Sequence, residues 1–415
     1  MESGSISFIM ISTALVFLMT PALAFFYGGL VRRKNVLNTM MACMFTTGIC
    51  VLVWFGLGFS LSFGSDHAAV IGGFDFVGFH NVSINESTLG LGIPDALFAV
   101  FQMMFAVITP ALITGSVTGR MSFKALIPFI ILWLLIVYCP LAHMVWGGGL
   151  IAQLGAIDFA GGDVVHISAG VTGLVLALLL KKRRDYDNAT YKPHNIPYVL
   201  LGASLLWFGW YGFNAGSALH SGDLAVHAFI TTTLSAAAAL TSWMLIDFIR
   251  SGKPTAVGCG SGIVVGLVAI TPACGFVSYW AAVVIGLLAS PLCYFGIRLV
   301  KSILKIDDSL DAFGCHGIGG IWGGIATGLF GQKVLPNGIE TIAQWNGLIF
   351  GEGKLFLAQL EGIAVTIFIA VVGTLVCAGI VRIFTKLRVG EMDEKIGLDR
   401  TQHGESAYPS FNGLD

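Results

Sequence analysis

Uninterrupted apolar stretches of about 20 residues recur from one end of this chain to the other, each long enough to cross the ~30 Å hydrocarbon layer of a bilayer as a helix. Lipid supplies no hydrogen bonds to unpaired backbone, so runs of this kind must satisfy their own amides as helices. The predicted fold class is therefore an all-α polytopic membrane protein. Composition agrees: 56% hydrophobic and 11% charged residues with a mean hydropathy of +0.84, against roughly 25% charged in soluble domains. Read between polar breaks, the runs predict eleven transmembrane helices, near 6–31, 36–63, 94–118, 123–142, 160–181, 196–218, 224–249, 256–275, 278–301, 312–330 and 355–386.

An odd number of spans puts the termini on opposite faces. With eleven, 20 of the 22 Lys and Arg residues fall on one face, and only Lys333 and Lys354 fall on the other. By the positive-inside rule the N-terminus is outside and the C-terminus inside, in a plasma (inner) membrane. Adding or losing one span would scatter the basic loops across both faces, so the charge distribution also checks the count. The basic residues are topogenic, and no segment outside the spans is long enough to bind nucleic acid. The start, MESGSISF, lacks the positive flank of a secretory signal, so the first span is expected to stay as a helix. Residues 1–388 form one transmembrane unit and 389–415 a cytoplasmic tail. That tail reads as a disordered end, although Leu387, Val389, Met392, Ile396 and Leu398 offer apolar groups that could dock on loops.

Spans one to five and six to ten can be laid over one another as two five-helix halves of inverted topology, with one extra helix. Each half ends in an Asp, small-residue and His segment: Asp158 precedes His166 by eight residues in DFAGGDVVHISAG, and Asp308 precedes His316 by eight in DAFGCHGIGGIWGG and the residues before it. Inverted halves place a site at the midplane. Many of the 54 glycines stand at four-residue spacing, as in Gly258, Gly262 and Gly266, which lets helices approach closely and leaves room for a narrow path only.

Ionisable side chains at membrane depth are costly, so His166 and His316 are expected to line an internal path. A lone membrane histidine would more readily be a packing residue. Two facing imidazoles in a dry lumen hold at most one extra proton between them, can hydrogen-bond a small polar molecule, and could relay a proton. Metal binding would want three or four converging ligands, and Cys315 points away from His316 on a helix, so no metal site is expected. Asp158, at a helix start, caps backbone amides rather than binding a cation. Asp307, Asp308 and Asp311 are expected to cap the tenth span in the same way. The eight cysteines form no CxxC pair and read as buried free thiols. Phe101, Phe105, Trp146, Trp207, Trp210 and Phe213 gather aromatic faces that attract cations, with the hydroxyl of Ser217 among them; for Trp146 alone, a place in the interfacial aromatic belt competes.

At these residues the chain resembles the ammonium transporter, methylammonium permease and Rhesus family, on its ammonium transporter branch. The matching pieces are PALAFFYGGLVRRKNV, FQMMFAVITPAL, AHMVWGGG, DFAGGDVVHISAG, WYGFNAGSA, DAFGCHGIGGIWGG and GLDRTQHGESAY, in order along the whole chain. The resemblance implies a transporter rather than an enzyme, with no cofactor, assembled as a homotrimer with one pore per protomer. It places external ammonium recruitment on Trp146 and Ser217 beside Phe101, a gate of stacked rings on Phe105 and Phe213, twin pore histidines at His166 and His316, and a vestibule-shaping aspartate at Asp158. Ammonium, or methylammonium, would shed a proton near the gate and cross as the neutral amine. The family also implies a possible PII-type cytoplasmic partner, and the alternative function of an ammonium sensor acting through the tail.

Overall fold

The computed structural model describes residues 2–187 and 192–408. Its helices in order are α1 (Ser3–Leu30), α2 (Val36–Val53, continuing through a π turn into Phe59–Phe63), α3 (Asp95–Val117), α4 (Phe123–Trp133, continuing through a π turn into Cys139–Trp146) and α5 (Ser168–Leu180). The second half holds α6 (Ile196–Gly216), α7 (Asp223–Ser251), α8 (Ala256–Ile270), α9 (Tyr279–Arg298) and α10 (Ile318–Phe330), followed by α11 (Gly353–Phe384). Two short helices, α12 (Glu391–Ile396) and α13 (Leu398–His403), carry the tail. Among the described residues nine helical segments are long and apolar enough to cross a membrane. The 15-residue α8 and the glycine-rich α10 are shorter and occupy the two remaining predicted positions. This is a multi-pass helical membrane protein.

Two predicted ends move. The fourth span runs on to Trp146 and stops at the glycines 147–149, while the eighth stops at Ile270: Thr271 still has helical dihedrals, but Pro272 brings no amide hydrogen to continue the ladder.

Small residues set the packing. Along α1 and α6, Gly202 faces Phe26, Gly209 faces Met19 and Gly212 faces Ser12, so the two helices run antiparallel with backbones in close approach. On α8, Gly258, Gly262 and Gly266 lie in turn against Trp243, Leu240 and Ser235 of α7. Between α5 and α10, a side chain on Gly170 would overlap the backbone of Gly317, and one on Gly320 would press on His166 and Ile167. Gly170 and Gly320 each stand four residues after a histidine of their own half, and these small residues let the two half-chains cross antiparallel at histidine level.

At the end where the basic residues collect, the tail is docked rather than loose. Leu387, Val389 and Leu398 are buried there, whereas Met392 and Ile396 stay exposed. Asp399 accepts from the Asn38 amide at 2.8 Å, Asn35 accepts from Leu398 N at 3.0 Å, and the Lys34 ammonium donates to Glu394 O at 2.7 Å. Residues 409–415 of the tail lie outside the described residues. The three aspartates before α10 also part company. Asp308 caps, accepting from Ala312 N and Phe313 N at 3.2 and 2.9 Å. Asp307 instead pairs with Arg183 and Arg120, and Asp311 with Lys301 at 2.6 Å. The expectation that all three cap was therefore wrong for two, because cations from other segments compete for their carboxylates.

Candidate functional site

Both histidines sit in π-helical turns, Gly162–Ile167 leading into α5 and Phe313–Gly317 leading into α10. One extra residue per turn leaves amides out of the ordinary ladder, and in each half the aspartate eight residues upstream takes up some of them. Asp158 accepts from Gly161 N, Gly162 N and Asp163 N at 2.7, 2.7 and 2.8 Å. Its two oxygens are thus engaged by backbone, and it is a cap. Replacing it with asparagine keeps one oxygen but turns an amide toward Asp163 N–H, which should lower stability by about 2 kcal/mol. A thermal midpoint of Asp158→Asn equal to that of the wild type would remove this role.

The crossing at Gly170 and Gly317 brings the imidazoles together: Nδ1 to Nδ1 is 3.3 Å, with ring centroids 5.3 Å apart and planes at 23°. One Nδ1 donates to the other, so neutral rings must be opposite tautomers. The pair then offers its surroundings one donor and one acceptor. His166 Nε2 is buried and has no hydrogen-bond partner among the described residues. The space beside the rings is walled by Met19, Leu23, Phe26, Ile108, Leu112 and Val264 and is on the order of a single water molecule.

Toward the end away from the basic loops, the rings continue as a column. Phe213 lies 6.0 Å from His166, and Phe105 lies against Phe213 with centroids 4.3 Å apart, shutting the path at that level. Phe101 and Trp146 meet Phe105 edge-on at 5.1 and 6.1 Å. Trp146 is half-buried and its Nε1 donates to Asp158 O at 2.9 Å, which takes it out of a lipid-facing belt. Ser217 lies one turn beyond Phe213 and donates its hydroxyl to Phe213 O at 2.8 Å, leaving the hydroxyl lone pairs as acceptors. The structure therefore gathers Phe101, Phe105, Trp146, Phe213, His166 and His316 into one line of contacts, with Ser217 at its outer end.

Trp210 belongs to this group with a part that sequence reasoning did not single out. It stacks on His166 at 5.4 Å and 22°, with its indole nitrogen donating to Thr271 at 2.9 Å. Its three-residue spacing from Phe213 on α6 was the available signal.

A family model described as Ammonium Transporter Family matches residues 7–408. The chain is similar to an ammonium transporter of Bacillus subtilis (strain 168), at 47% identity over 408 residues that cover 98% of this chain and 99% of the other. Among solved structures it is similar to Saccharomyces cerevisiae Mep2, with a TM-score of 0.84 and 38% identity over 91% of this chain and 85% of that one. It is also similar to a structure described as a sensor Amt protein, with a TM-score of 0.86 and 28% identity over 96% and 98% of the two chains.

Proposed function

The chain belongs to the ammonium transporter family, and from that premise we propose that it carries ammonium inward by stripping a proton outside a closed aromatic gate and passing ammonia beside His166 and His316. Trp146, Phe101 and Ser217 recruit the cation at the outer mouth, through aromatic faces and a hydroxyl whose lone pairs are free. Phe105 and Phe213 form the gate, and the basic end of the molecule faces the cytoplasm. Ammonium and potassium are alike in size and charge, but only ammonium can give up a proton. An unpaired ion in a narrow apolar lumen is strongly disfavoured, whereas neutral ammonia is not, so the same walls that exclude potassium let ammonia through.

What carries this reading is the unbroken column from Phe105 through Phe213 and His166 to His316, with an apolar wall beside it. The shed proton either stays outside or is relayed separately by the imidazole pair. Residues 1–388 are the transporting unit and 389–415 its cytoplasmic tail. A homotrimer and a PII-type partner at the inner mouth are carried over from the family resemblance.

Proteoliposomes on a solid-supported membrane are expected to give a sustained current or flux on an ammonium jump and none on a potassium jump. Equal responses to both cations would end the proposal. A second reading, an ammonium sensor, is favoured by the likeness to the sensor Amt structure and by the docked tail. It predicts ammonium binding with no flux at all. A gas or water channel would instead permeate regardless of changes to Phe105 and Phe213.

A further inference from the structure

Two separate cavities share walls on the same pair of helices. Met19, Leu23 and Phe26 of α1 and Val264 of α8 wall the histidine cavity, and the same two helices, through Leu30 and Val257, wall a larger cavity at the basic end. Arg183, Lys301, Leu310 and Asp311 also line it. Arg183 is held by Asp307 at 2.6 Å, so its charge is already engaged. Asp311 differs from the other aspartates of this region: its carboxylate faces the cavity, three-tenths exposed, and meets the Lys301 ammonium at 2.6 Å. It stands five residues before His316, accepts through its carboxylate from no helix amide among the described residues, and adopts φ 61°, a left-handed conformation that a non-glycine residue holds at some strain. Backbone strain of this kind collects where a side chain has to be aimed.

We propose that Asp311 is an inner ammonium-binding site and that Lys301 is its tethered competitor. The inference rests on the transport reading above. The chemical point is that a lysine head group is a substituted ammonium ion, so the position it occupies against Asp311 is one that free ammonium fits. Ammonia arriving past His316 takes a proton from the inner aqueous phase, NH3 + H+ giving NH4+, and the ion formed pairs with Asp311 as Lys301 swings away. Lys301 then returns and displaces it. A bare carboxylate at the exit would hold the product and slow release, whereas a covalently attached rival keeps binding weak. Asp158, beside the outer aromatic cluster, is by contrast occupied by three amides.

The test compares ammonium flux in right-side-out and inverted membrane vesicles, so that each face is titrated separately. Lys301→Gln is expected to lower the half-saturating ammonium concentration at the inner face about fivefold, the scale of a partly exposed ion pair, and to leave the outer face unchanged. Asp311→Asn is expected to raise the inner value by a similar factor. Lys301→Arg, which keeps the charge and grips a carboxylate with two parallel bonds, should also raise it, guarding against loss of fold in the glutamine variant. Wild-type flux with inner values indifferent to all three changes, or with both faces shifting together, overturns this proposal alone. No flux in the wild type overturns the transport reading, and this one with it.

Discussion

Alanine in place of His316 is expected to cut ammonium flux roughly 5- to 150-fold, with His166→Ala behaving alike. Ammonia in an apolar lumen has lost its water, and the free energy it recovers there comes from the donor and acceptor that the coupled imidazoles present. The 3.3 Å contact between Nδ1 atoms makes those two functions interdependent, because removing either ring releases the other from its tautomer. Losing one hydrogen bond at such a point should raise the barrier by about 1–3 kcal/mol. The cavity left behind is bounded by Leu23, Phe26 and Val264, so it stays apolar and should not begin to pass potassium. Ammonium-evoked flux in proteoliposomes, with potassium as control, measures both. Wild-type ammonium rates in either variant would place the permeation route elsewhere.

Much of this arrangement was readable in advance. Spans could be placed because apolar runs and basic loops are properties of contiguous residues, and the Asp158–His166 and Asp308–His316 spacings stand in the chain as text. The π turns were not readable, since an extra residue in a helical turn leaves no compositional trace in GDVVHI or FGCHG. Nor was the docking of the tail, which depends on polar pairings such as Asn38 with Asp399, 361 residues apart. The same limit explains Asp307, Asp308 and Asp311. All three look like caps from the sequence, but Asp307 meets Arg183 from 124 residues away, and Lys301, at the end of the preceding span, reaches Asp311 directly. Local sequence supplies the candidates for a helix start, and tertiary charges decide which of them remain there.

Asp307 accordingly carries the largest stability prediction. Its carboxylate is buried with the Arg120 guanidinium at 2.9 Å, and it also accepts from Arg183 Nη2, Nε and backbone N at 2.6, 2.8 and 2.8 Å. Burial alone would raise its pKa, but the hydrogen bonds and charge of Arg183, with Arg120 behind them, outweigh burial and hold it below the usual carboxylate range. Burial likewise pulls Arg120 down to about 10, with Asp307 pulling the other way, so the guanidinium remains a cation at neutral pH. Asp307→Ala would leave that cation buried without its counter-charge and is expected to destabilise the protein by about 3–5 kcal/mol. The pH dependence has a definite sign. A carboxylate whose native pKa is depressed stabilises the fold above its unfolded pKa of ~4, and that contribution fades as pH falls through the lower native value. The gap between wild type and Asp307→Ala should therefore be constant from pH 8 down to ~5 and should close in more acid solution. Thermal unfolding of the detergent-purified proteins across that range measures it. A variant as stable as wild type at pH 7, or a gap that widens in acid, would mean that Asp307 does not neutralise Arg120.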